Sequence, residues 1–68
     1  MTPATLRAAR KSLGLTQSQF AATLGYGARI VLYWESGERE VPELVSRIVQ
    51  AALEHPEILG WLVPDLAA

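Results

Sequence analysis

Residues that stop helices recur at regular intervals along this chain: Gly14, Gly25 and Gly37, then Pro42 and Pro56. Between them the sequence predicts five short helices. The first runs from Pro3 to Leu13. Thr2 is placed to cap it, Pro3 suits the first helical position, and Gly14 ends it. Leu6, Ala9 or Arg10, and Leu13 fall on one stripe at helical spacing. The second runs from Gln17 to Leu24, behind Thr16 and with Gln19 three residues later, the arrangement of a capping box. Gly25 stops it. The third covers Ala28 to Ser36, with Gly37 just past its end. The fourth starts at Pro42 and carries Glu43 in its first turn, where the helix dipole favours an anion. It continues to Glu54. A last helix begins at Pro56 and includes Ile58, Leu59, Trp61 and Leu62. No run alternates apolar and polar residues between turn signals, so strands are not expected. The predicted class is all-α, with five helices.

A chain of 68 residues holds one domain, spanning 1–68. At this size folding buries only about 60% of the unfolded surface, so stability is marginal. There are no cysteines to staple it, and half of the residues are apolar, which argues for a packed core rather than disorder. No stretch is long enough to span a bilayer, and a cytoplasmic protein is expected. The net charge of −1 does not announce a polyanionic partner, but its distribution is uneven. Arg7, Arg10, Lys11 and Arg29 lie in a first half that has no acid before Glu35. From Val41 onward Arg47 stands against Glu43, Glu54, Glu57 and Asp65. This split allows one face to meet phosphate while the other does not.

The segment QSQFAATLGYGARIVLYWES, residues 17–36, has the internal logic of a helix-turn-helix. Two helices meeting at a steep angle through a short turn need a small residue at their crossing, and Ala21 supplies it. The turn needs a residue that adopts positive φ without strain, and Gly25 supplies that. Phe20 and Leu24 on one helix face Val31 and Trp34 on the other, and Tyr26 covers the turn.

The run LRAARKSLGLTQSQFAATLG, followed by WESGER, resembles the Cro/C1-type family of phage and bacterial regulators, the lambda-repressor-like or xenobiotic-response-element fold. Arg10, Leu15-Thr16-Gln17, Phe20-Ala21, Leu24-Gly25, Val31 and Glu35-Ser36-Gly37 carry the likeness. A shorter stretch, ARIVLYWESGEREVP, is similar to small phage anti-CRISPR-associated autoregulators. The resemblance implies a compact DNA-binding domain whose recognition helix is 28–36, working in a bacterial cell or phage-infected host.

With Val31 and Trp34 turned inward, the opposite side of that helix shows Ala28, Arg29, Leu32, Tyr33 and Ser36. Arg29 suits bidentate readout of guanine, Ala28 and Leu32 suit a thymine methyl, and Tyr33 suits a base edge or a phosphate. Relatives carry polar residues at 28, 32 and 33, so specificity here is expected to rest more on shape and methyl contact. The family uses the glutamine matching Gln17 to grip the DNA backbone. Arg7, Lys11, Ser36 and Arg39 are the other expected phosphate contacts. The family also pairs an arginine of the first helix with the glutamate near the end of the recognition helix, here Arg10 and Glu35, as a structural ion pair.

The C-terminal part, 42–66, with Val41 just before it, is richer in apolar residues than a small core requires: Leu44, Val45, Ile48, Val49, Ala52 and Leu53, then Ile58, Leu59, Trp61, Leu62, Val63 and Leu66. Such surplus marks a partner surface. Val49, Leu53, Ile58, Trp61 and Leu62 are the expected homodimer contacts. The functional expectation is a sequence-specific regulator of transcription, a repressor binding a pseudo-palindromic operator on double-stranded DNA as a homodimer. The alternative is an antitoxin-like interaction module that holds another protein through its C-terminal surface. An enzyme is not expected. His55 is the only histidine and stands at a helix end before Pro56. No acidic pair, metal-ligand spacing or glycine-rich phosphate loop is present. No metal, cofactor, small-molecule ligand or membrane partner is expected.

Overall fold

The computed structural model describes the backbone of residues 1–62 and the side chains of residues 1–60. Its five helices are α1 (Pro3–Ser12), α2 (Gln17–Leu24), α3 (Ala28–Ser36), α4 (Glu43–Glu54) and α5 (Ile58–Leu62). No strand occurs among the described residues.

Local chemistry sets most of these boundaries. Thr2 Oγ1 accepts from the Thr5 N–H at 3.1 Å and opens α1. At α2 the capping box is complete. Thr16 Oγ1 accepts from Gln19 N at 3.1 Å, and Gln19 Oε1 accepts from Thr16 N at 3.0 Å. Two of the orphan N–H groups of a helix start are thereby satisfied. The helix stops at Gly25, which adopts φ 81°. There Gly25 N donates to Ala22 O at 3.1 Å and Tyr26 N to Ala21 O at 2.8 Å. This is the Schellman arrangement, which requires a left-handed residue and so favours glycine.

Three boundaries differ from expectation. Helix α1 ends at Ser12, with Leu13 as its cap, and α4 begins at Glu43, with Pro42 as its cap. Before α5, Ile58 N bonds His55 O and Leu59 N bonds Pro56 O, both at 3.1 Å. These three-residue spacings make a tight turn rather than α-helix, so α5 starts later than Pro56.

Helix α3 packs on α2 and α1, while α4 packs on α1, and α5 on α2 and α4. The core comprises Leu6 and Ala9 from α1, Phe20 and Ala21 from α2, Val31 and Trp34 from α3, and Val45 and Val49 from α4. Leu13, Leu15, Leu24, Ile30 and Val41 pack around them. Ala21 is 0% exposed, in keeping with a crossing too close for a larger side chain. Tyr26 meets Trp34 edge to face, with centroids 5.1 Å apart, and covers the α2–α3 turn.

One expectation about the C-terminal part is overturned. Val49, expected at a partner surface, is 1% exposed and belongs to the core. Val45, Val49 and Ala52 stand at helical spacing and share the face that α4 turns inward. Among the described residues of this part, the large apolar side chains left outside are Leu44 and Leu53. They lie nine positions apart, about two and a half turns, and so flank α4 on opposite sides instead of forming one patch. Ile58 is half-buried. The side chains of Trp61 and Leu62, and residues Val63 and Leu66, lie outside the described residues.

Candidate nucleic-acid interface

The α2–α3 pair holds α3 by one side only. Val31 and Trp34 are 0% and 2% exposed, and Ile30 is half-buried. On the other side Ala28, Arg29, Leu32 and Ser36 are exposed, and Tyr33 is half-buried. The split follows from helical periodicity: residues three or four apart share a face, and the apolar pair that closes the junction turns its opposite side outward.

The outward side is sparsely polar. Arg29 makes no ion pair or side-chain hydrogen bond among the described residues, and Leu32 is 50% exposed. The Arg39 guanidinium sits over the Tyr33 ring, 5.3 Å from its centroid. Arg39 N also donates to Tyr33 O at 3.3 Å. This cation–π contact fixes an otherwise flexible side chain beside the end of α3. Ser36 Oγ donates to Tyr33 O at 3.1 Å and accepts from Glu38 N at 3.4 Å. Its single proton is therefore used within the chain.

Beneath this surface Glu35 organises three of the named residues. Arg10 Nε donates to Glu35 Oε2 at 2.6 Å, and Arg10 Nη2 donates to Oε1 at 3.1 Å. Arg10 Nη1 reaches Leu15 O at 3.0 Å, which ties the α1–α2 loop to the same cluster. Arg7 Nε and Gln17 Nε2 both approach Oε1, each at 3.3 Å. Burial pushes the Glu35 carboxyl up. Hydrogen bonds from Arg10 and Gln17, the Arg10 charge and the hydrogen bond from Arg7 outweigh that and hold it below the usual glutamate range. The bond to Glu35 likewise raises Arg10, against the opposing effect of burial.

The positions named from the sequence thus fall into two groups. Ala28, Arg29, Leu32, Tyr33, Ser36 and Arg39 surround the outward side of α3 and the loop after it. Arg7, Arg10 and Gln17 converge on Glu35 behind it. Arg7 nonetheless keeps 53% of its side chain exposed. Lys11 is exposed on α1. At the start of α2 the capping box uses the Gln19 N–H, leaving those of Gln17 and Ser18 without a partner among the described residues. Three contacts are not legible in the sequence: the stacking of Arg39 on Tyr33, and the bonds of Arg7 and of Gln17 to Glu35. Arg7 and Arg10 are three residues apart on one helix and therefore neighbours, which hinted that both would meet the same partner.

Two short helices crossing at a buried alanine, with the second presenting a free side, define a helix-turn-helix. A helix-turn-helix family model matches the chain over residues 6–53. The chain belongs to the Cro/C1-type helix-turn-helix family and is a DNA-binding regulator of transcription. No curated protein and no solved structure gives a significant match. No helix among the described residues is long and apolar enough to cross a membrane.

Proposed function

We propose that this protein is a sequence-specific repressor that binds a pseudo-palindromic operator as a homodimer in the cytoplasm. The observation that carries the reading is the uncovered outer side of α3, with its inner side locked in the core. In the docking geometry of the class, the N-terminal part of such a helix meets base edges in the major groove. Arg29 then bonds guanine O6 and N7, while Ala28, Leu32 and Tyr33 complete the base contacts. Arg7, Lys11, Gln17, Ser36 and Arg39 lie against phosphates. Arg39 is supported on Tyr33, Gln17 makes its contact through the donors its bond to Glu35 leaves free, and Ser36 reaches phosphate by turning its hydroxyl away from Tyr33 O.

A single recognition helix spans few base pairs, so useful specificity calls for two copies. Leu53 and Ile58, with Trp61 and Leu62, are the proposed contacts between them; Val49, buried in the core, is not one. Occupying an operator is enough to repress, and needs no further surface.

Selection of bound sites from a random duplex pool tests this directly. The expected result is an enriched site with two inverted half-sites centred about 34–36 Å apart, and affinity that falls steeply with salt as phosphate contacts release counterions. No enrichment, together with a flat response between about 50 and 200 mM salt, refutes it. In that event the antitoxin-like alternative becomes the better account.

A further inference from the structure

Base discrimination in the major groove rests mainly on hydrogen-bonding side chains: arginine or lysine for guanine, asparagine or glutamine for adenine. The outward side of α3 is poor in them. Ala28 and Leu32 are four residues apart, hence one above the other, and both are exposed. Arg29 is the one charged side chain on that stretch. Tyr33 is half-buried under the Arg39 guanidinium, and the Ser36 proton is held by Tyr33 O. What remains exposed and apolar on this side is the pair Ala28 and Leu32, with Leu32 50% exposed. Base-pair edges in the major groove offer one apolar group, the pyrimidine 5-methyl.

We propose that Leu32, backed by Ala28, reads a pyrimidine 5-methyl group, whether of thymine or of 5-methylcytosine. This rests on α3 being the recognition helix. A leucine makes no hydrogen bond to thymine O4 or to the cytosine amino group. It therefore responds to the methyl more than to the base that carries it. Arg29 is three residues from Leu32 and shares its face, so the two read neighbouring positions: a guanine beside a methyl-bearing pyrimidine. One consequence is sensitivity to cytosine methylation. A site with cytosine at the Leu32 position binds weakly until that cytosine is methylated.

The test uses the full chain and the duplex enriched by selection. Each thymine of a half-site is replaced in turn by deoxyuridine, which removes only the methyl, and affinity is measured by fluorescence anisotropy at fixed salt. One position is expected to lose about fourfold, the equivalent of one buried methyl-sized group. Leu32→Ala should lose a similar factor on the thymine duplex and show no further loss on the deoxyuridine duplex, as coupled partners do. At the same position, 5-methylcytosine should bind about fourfold more tightly than cytosine for the parent chain and equally for Leu32→Ala. Leu32 is exposed, so an unchanged unfolding midpoint shows that the variant keeps its fold.

The inference is overturned if no thymine responds to loss of its methyl, if the half-site contains no thymine, or if Leu32→Ala still distinguishes thymine from uracil. In each of these outcomes the DNA-binding reading survives. If selection enriches no duplex, that reading fails first and this one with it, and the exposed leucine then belongs to a protein contact.

Discussion

Exchanging Glu35 for glutamine removes one charge and almost no volume, so it isolates what the buried carboxylate contributes. Its two oxygens accept four hydrogen bonds: two from Arg10 and one each from Arg7 and Gln17. The Glu35 side chain is 1% exposed and that of Arg10 is 12% exposed, so little water can replace the lost partner. Arg7, 53% exposed, is solvated in the variant and contributes less than about 1 kcal/mol. Arg10 is different. Stranding a buried charge costs about 3–5 kcal/mol. The whole fold is worth about 0.05–0.15 kcal/mol per residue, or about 3–10 kcal/mol for a chain of this length. Glu35→Gln is therefore expected to remove about a third or more of the stability.

Urea unfolding followed by far-ultraviolet circular dichroism measures this for Glu35→Gln, Arg10→Met and the double variant. The double should lose less than the sum of the singles, with a coupling of about 1–3 kcal/mol, because two neutral side chains strand no charge. The pair Arg47–Glu43 serves as the control. It is the same chemistry at 3.5 Å, but the side chains are 73% and 81% exposed, and Arg47→Gln should leave the midpoint unchanged. A loss below about 1 kcal/mol in Glu35→Gln, or full additivity, refutes the view that this carboxylate ties α1, α2 and α3 together.

Four further outcomes are expected. Because the Glu35 pKa is lower folded than unfolded, its contribution is complete above the ordinary glutamate value of about 4.3 and is lost as pH falls through the folded value. Urea midpoints between about pH 2 and 6 should fall less steeply with acid in Glu35→Gln than in the parent chain. Gly25→Ala should cost about 1–2 kcal/mol in thermal or urea unfolding, all of it from φ 81°, since a Cβ there meets nothing within 4 Å. Thr16→Ala removes the side-chain half of the capping box and should cost about 1 kcal/mol by the same measurement. Arg29→Ala should weaken binding to the selected site by about 1–3 kcal/mol while barely changing affinity for random duplex; equal loss on both would place Arg29 on phosphate instead.

Helix limits and the helix-turn-helix junction were legible in the sequence because they are decided within a few residues. The Thr16–Gln19 box, the left-handed Gly25 and the inward pair Val31 and Trp34 depend on backbone hydrogen bonding and helical period, both encoded locally. The pairing of Arg10 with Glu35 came from family resemblance, since nothing local joins residues on separate helices. Tertiary packing decided the rest. It brought Arg7 and Gln17 onto Glu35 across separations of 28 and 18 residues. It laid Arg39 on Tyr33, and it chose Val49 for the core while leaving Leu44 and Leu53 outside. An apolar residue on a helix records only that some neighbour is wanted. Which neighbour arrives, and which face is left for DNA, depends on how the helices stack, and that is a property of the whole chain.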